Sequence, residues 1–146
     1  MPLKQSQQLR RFNYLLGEQD AVYHAMSLHF GISDSISMIL YALYGEGGAM
    51  PIADIIRLYG LTKQTVNSAL RRLEAEGKIT LESVSGRSKR VRLTAEGDAF
   101  CEKTVAQIIA AENEVLASWS KVESEQYLAL TERFIKQMKE KSEKMK

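Results

Sequence analysis

A single residue, Leu61, separates Gly60, which stops one short amphipathic helix, from Thr62, which can cap the next. Two helices joined that tightly must cross at a large angle, and no other feature constrains the chain as much. Upstream, Pro51 suits the first turn of the short helix, because the N–H it lacks would have no intrahelical partner there. Ile52, Ile55 and Ile56 supply that helix with an apolar face. Downstream, Val66, Ala69, Leu70 and Leu73 recur at helical spacing and Gly77 marks the stop. The pair reads as a helix-turn-helix.

Beyond Gly77 the apolar period switches from about 3.6 residues to 2. Lys78–Glu82 turns Ile79 and Leu81 to one face, and Arg90–Thr94 does the same with Val91 and Leu93. Between them, Ser83–Lys89 is polar and basic around Gly86, as a hairpin loop requires. Each strand can cover the helices with one face and meet water with the other. A basic hairpin directly after a helix-turn-helix is a wing.

Both flanks read as helix. Leu9, Phe12, Leu16, Tyr23, Met26 and Phe30 form a narrow stripe of the kind that seams against a partner helix. Gly31 interrupts it, and Ser33 caps a second helix carrying Ile36, Ile39, Leu40 and Leu43. Thr94 caps the next, and no glycine or proline breaks the run from Asp98 to Trp119, so one long helix is expected there. After Ser120 a last helix aligns Tyr127, Leu130, Phe134 and Met138, then is expected to fray into the charged tail Lys139–Lys146. The expected fold is mainly α (α+β): one domain over 1–146, a winged helix-turn-helix over 33–94 with a two-stranded wing, and helical dimerisation regions over 5–30 and 95–143.

Charge is unevenly distributed. Between Arg57 and Arg92 lie nine basic residues (Arg57, Lys63, Arg71, Arg72, Lys78, Arg87, Lys89, Arg90, Arg92) and three acidic ones (Glu74, Glu76, Glu82), in a chain whose net charge is only +2. A basic middle between acidic arms suits a surface that neutralises phosphates. With Val66, Ala69, Leu70 and Leu73 inward, about 100° per residue points Gln64, Ser68 and Arg71 outward, flanked by Thr65, Asn67 and Arg72. A solvated face would look similar in isolation; its setting between a tight turn and a basic hairpin favours DNA contact. Gln64, Thr65 and Ser68, nearest the helix N-terminus, are the expected base readers, and Lys63, Arg71 and Arg72 the expected phosphate clamps. In the wing, Arg87 beside Gly86 can enter a minor groove, with Lys89 and Arg90 on flanking phosphates.

The run Leu61-Thr-Lys-Gln-Thr-Val-Asn-Ser-Ala-Leu-Arg-Arg-Leu-Glu-Ala-Glu-Gly77, followed by Gly86-Arg-Ser-Lys-Arg-Val-Arg-Leu-Thr-Ala-Glu-Gly97, resembles the MarR family of bacterial regulators. The resemblance implies a homodimer with interlaced terminal helices, and two winged domains presented to successive grooves of a double-stranded, pseudo-palindromic operator. It also implies a small-molecule effector bound between the dimerisation helices and the winged domain. The family's wing usually carries Asp two residues before its arginine; here that position is Ser85, so the pair that orients the wing is missing. The dimerisation residues expected on this basis are Leu9, Phe12, Leu16, Tyr127, Leu130, Phe134 and Met138.

Other chemistry finds little support. Cys101 lies on an apolar stripe, where a cysteine behaves as a small hydrophobe, and as the only cysteine it can form no internal disulfide. His24 and His29 are five apart and share no helix face, so no metal site is expected. The Gly45–Gly48 turn follows a helix and lacks the Lys-Ser or Lys-Thr of a phosphate loop. No catalytic set or cofactor fingerprint is present, so an enzyme is not expected. Trp119, Tyr41, Tyr44, Tyr59 and Tyr127 could line a ligand pocket, although packing is the commoner use of such residues. No apolar run suits a membrane span and Met1–Arg11 lacks the apolar stretch of a signal peptide, so a cytoplasmic protein is expected. The leading expectation is a sequence-specific, ligand-responsive repressor; the alternative is a winged-helix protein-interaction module without specific DNA readout.

Overall fold

The computed structural model describes residues 2–86 and 88–146. Among them are seven helices and a three-stranded antiparallel sheet. The helices α1 (Gln7–Phe30) and α2 (Asp34–Gly45) come first, then the strand β1 (Ala49–Pro51). The helices α3 (Ile52–Tyr59) and α4 (Lys63–Ala75) follow, then the strands β2 (Ile79–Ser85) and β3 (Ser88–Leu93). The chain ends in α5 (Ala95–Lys103), α6 (Val105–Ala117) and α7 (Lys121–Glu143). It packs as two units, Met1–Ile109 and Ala110–Lys146.

In the first unit the core is built from the faces that periodicity selects. Ile36, Ile39, Leu40 and Leu43 of α2, Ile55 of α3, and Val66, Ala69, Leu70 and Leu73 of α4 are buried together. Ile79 and Val91 join them from the sheet, and Cys101, Val105 and Ile108 from α5 and α6. Side-chain oxygens cap three helices as expected, with Ile36 N–H donating to Ser33, Thr65 N–H to Thr62 and Gly97 N–H to Thr94, and Leu9 N–H donates to Ser6 at the start of α1, a cap not anticipated from the sequence. Gly60 (φ 63°) and Gly77 (φ 74°) take the left-handed conformation that ends α3 and α4. Across the α1–α2 bend, the His24 Nδ1 lies 2.8 Å from the Asp34 carboxylate.

The structure adds to or corrects the sequence reading at four places. A third strand, β1, lies on the edge of the wing, pairing Ala49 with Arg92 and Met50 with Val91. Pro51 ends that edge strand and caps α3, which starts one residue later than expected. The hairpin is tighter than expected, since β2 and β3 run to Ser85 and Ser88; a register shift at 83–85 leaves Val84 unpaired and exposed.

The single long helix expected over Asp98–Trp119 is broken at Thr104. Its hydroxyl donates to the Phe100 carbonyl at 2.8 Å and its N–H reaches only to Cys101, three residues back, with φ −126° and ψ −95°. A threonine can take a carbonyl of the preceding turn in this way, and bend the helix without glycine or proline. Finally, α7 does not fray at Lys139 but continues to Glu143. Alternating lysine and glutamate are good helix formers, and Lys141 in the last turn complements the helix dipole.

The packing at Gly97 fixes how α5 meets β2. A Cβ at Gly97 would collide with the Lys78 carbonyl, which is backbone and cannot swing aside. Gly97→Ala is therefore expected to lower stability by about 3 kcal/mol, near the top of the usual overpacking range. Gly17→Ala, on an α1 position with nothing within 4 Å of the added carbon, is expected to stabilise by up to about 1 kcal/mol. Urea midpoints of the two variants check this; equal midpoints would refute it.

Candidate nucleic-acid interface

α4 presents the polar face anticipated for it. Lys63, Gln64, Ser68, Arg71 and Arg72 are exposed, and Thr65 and Asn67 are half-buried on either side. Thr65 also serves the cap: its N–H donates to the Thr62 hydroxyl, and Thr62 donates back to the Thr65 hydroxyl at 2.8 Å. Among the expected readers, then, Gln64 and Ser68 have the more open side chains.

Ion pairs sort the basic residues of this region into two groups. Arg57 is held by Asp54 at 3.1 Å and Arg92 by Glu82 at 2.8 Å. Arg72 and Lys78 share Glu76, at 3.0 Å and 2.7 Å. Among the described residues, Lys63, Arg71 and Lys89 form no ion pair. The pairing shows in the carboxyls: the hydrogen bond from Arg92 holds Glu82 below its usual range, and hydrogen bonds from Lys78 and then Arg72 do the same for Glu76. Arg90, half-buried on β3, lies near enough to Glu82 to contribute to that lowering.

Two of the unpaired cations meet across one groove. A cavity of about 300 Å³ is lined by Asn67, Leu70 and Arg71 of α4, Lys89 and Leu81 of the wing, and Ile52 of α3. The helix and the hairpin thus present one continuous cationic surface. Arg87, the expected minor-groove residue, lies outside the described residues. Glu76 is the member that sequence reasoning missed, although Arg72 and Glu76 stand four apart on one helix, a spacing that favours an ion pair.

Elsewhere, Leu9, Phe12 and Leu16 are exposed along α1. In the second unit Tyr127, Leu130, Phe134 and Met138 are exposed along α7, and Tyr127 meets Trp119 edge to face at 5.5 Å. Tyr41 and Tyr59 pack edge to face at 6.5 Å in the first unit. Cys101 is buried, and burial, with Asp98 nearby, pushes its thiol up to about 12. A thiol so placed holds almost no thiolate at neutral pH. Among the described residues no cluster of three His, Cys, Asp or Glu side chains suits a metal ion, and no single helix is long and apolar enough to cross a membrane.

A tight two-helix turn, an exposed polar second helix and a basic hairpin beside it together define a winged helix-turn-helix protein. Residues 30–90 match the model of the MarR family. The fold extends the likeness along almost the whole chain. A MarR family regulator from Neisseria meningitidis is 19% identical, with a TM-score of 0.85 over 97% of this chain and 100% of that one. The MepR–DNA complex from S. aureus is 22% identical, with a TM-score of 0.68 over 92% of this chain and 99% of that one. NadR in complex with 4-hydroxyphenylacetate is 15% identical, with a TM-score of 0.66 over 94% of this chain and 97% of that one. A comparison with curated proteins gives no significant match.

Proposed function

We propose that the protein is a transcription regulator that binds double-stranded DNA sequence-specifically as a homodimer, and represses from a pseudo-palindromic operator until a small molecule releases it. The observation that carries this reading is the surface shared by α4 and the wing. Its cations Lys63, Arg71 and Lys89 have no ion-pair partner among the described residues, while Gln64 and Ser68 stand exposed between them. Amide and hydroxyl groups suit base edges, and unpaired cations suit phosphates. Arg90 continues the surface on the wing, and Arg87, outside the described residues, is the proposed minor-groove contact. MepR, solved with DNA, and NadR, solved with 4-hydroxyphenylacetate, support the DNA and the effector parts of the reading respectively.

The dimer rests on the apolar residues left exposed on α1 and on α7, and implies dimerisation regions over 5–30 and 95–143 around a winged unit over 33–94. Two-fold association covers such surface and sets two recognition helices about 34 Å apart, one turn of DNA. Selection of bound duplexes from a random pool tests the reading. The expected result is an inverted repeat whose half-sites are centred about one helical turn apart. A pool that stays random after repeated selection, with the protein folded, overturns it in favour of a protein-interaction module.

A further inference from the structure

Arg72 sits on the proposed DNA face, yet its guanidinium is already engaged. Its Nε donates to one oxygen of Glu76 at 3.0 Å, and the other oxygen of that carboxylate takes Lys78 Nζ at 2.7 Å. The two cations differ in their freedom. Lys78 is only 24% exposed and lies over the Phe100 ring, 3.9 Å from its centroid, so it anchors the carboxylate against α5. Arg72 is 70% exposed and can swing away. Glu76 thus stays in place while its arginine is exchangeable. With its carboxyl held below the usual range, it is charged throughout the neutral range.

We infer that Glu76 is a specificity-determining residue: it occupies Arg72 as a phosphate would, and so withholds one cation from loosely bound duplex. The inference rests on the DNA-binding reading above. A carboxylate and a phosphodiester compete for the same guanidinium donors. Moving Arg72 from Glu76 to a DNA phosphate trades one ion pair for another and leaves Glu76 facing a polyanion. A duplex seated in register can offset that trade through base contacts made at the same time. A randomly placed duplex cannot. Glu76 therefore weakens non-specific binding more than specific binding.

The test uses the full chain as wild type, E76Q, R72A and the double variant, titrated against a random-sequence duplex over a range of salt concentrations. E76Q is expected to steepen the salt dependence by about two phosphates, one for each protomer of the proposed dimer, so that it loses about twelvefold more affinity than wild type between about 50 and 200 mM salt. The steepening should vanish when Arg72 is also replaced. R72A alone, a change at an exposed position, should leave the random-duplex slope unaltered while weakening binding to the selected operator. Three results overturn the inference: an E76Q slope equal to wild type, a steepening that survives without Arg72, or an R72A slope already shallower by about two phosphates on random duplex. If wild type binds no duplex at all, the functional reading itself falls, and this inference with it. Binding by wild type without coupling between Glu76 and Arg72 sinks the inference alone.

Discussion

Glutamate at both Leu16 and Leu130 is expected to abolish operator binding, although neither position belongs to the proposed DNA face. Leu16 on α1 is 45% exposed and Leu130 on α7 is 55% exposed, each within a row of exposed apolar side chains. Leu9, Phe12 and Tyr23 continue the first row; Tyr127, Phe134 and Met138 continue the second. Rows of this kind exceed what soluble monomers usually leave open to water. If two copies cover them, each leucine contributes about 1.5–3 kcal/mol of burial. A carboxylate in its place must be desolvated without a partner, at a cost of several kcal/mol. Four such charges in one dimer outweigh the stability of a typical interface, and an obligate dimer has no folded monomer to fall back on. Sedimentation should show monomer or unfolded chain, and the operator complex should disappear from gel-shift titrations. A wild-type protein that sediments as a folded monomer at micromolar concentration would sink the idea.

The second large effect is expected at Arg71. Arg71→Ala should weaken binding to every duplex, by about tenfold for each charge-assisted hydrogen bond to phosphate that it removes, and a dimer removes them in pairs. The salt dependence should flatten by about two counterions. Gln64→Ala and Ser68→Ala are expected to behave differently. Each should relax preference at particular base positions by about 1–3 kcal/mol and leave the salt slope alone, because neither side chain carries charge. If Arg71→Ala changes base preference and not the slope, then Arg71 reads bases and is no phosphate clamp.

The helical and strand faces of the first unit were readable because burial follows period. Every α4 residue assigned inward from its spacing is buried, and Ile79 and Val91 fall on the inner face of the sheet as their alternation requires. The caps at Ser33, Thr62 and Thr94 were readable because their chemistry is local. What escaped depends on partners distant in sequence or on a choice between two local hydrogen bonds. β1 is three residues long, too short for an alternation to show, and exists because β3 offers it a partner about forty positions away. Thr104 breaks a helix that its composition would continue, because its hydroxyl takes a carbonyl of the turn before. On the candidate surface, residue types and their outward placement were evident from helical geometry. Which cations are already spoken for was not, since Glu76 could have paired with Arg72, with Lys78 or with water.

The Gly77–Gly97 corner has a mechanical consequence. The Thr94 hydroxyl donates to the Gly77 carbonyl at 2.6 Å and also accepts the N–H of Gly97, while Gly97 lies flush on the Lys78 carbonyl. The turn between α4 and β2 and the first turn of α5 therefore meet as a joint without clearance. A joint with slack would absorb a small tilt of one member. This one has none to give, so a tilt of α5 presses directly on the turn that follows α4, and the loss of stability in Gly97→Ala measures how tightly that joint is ground.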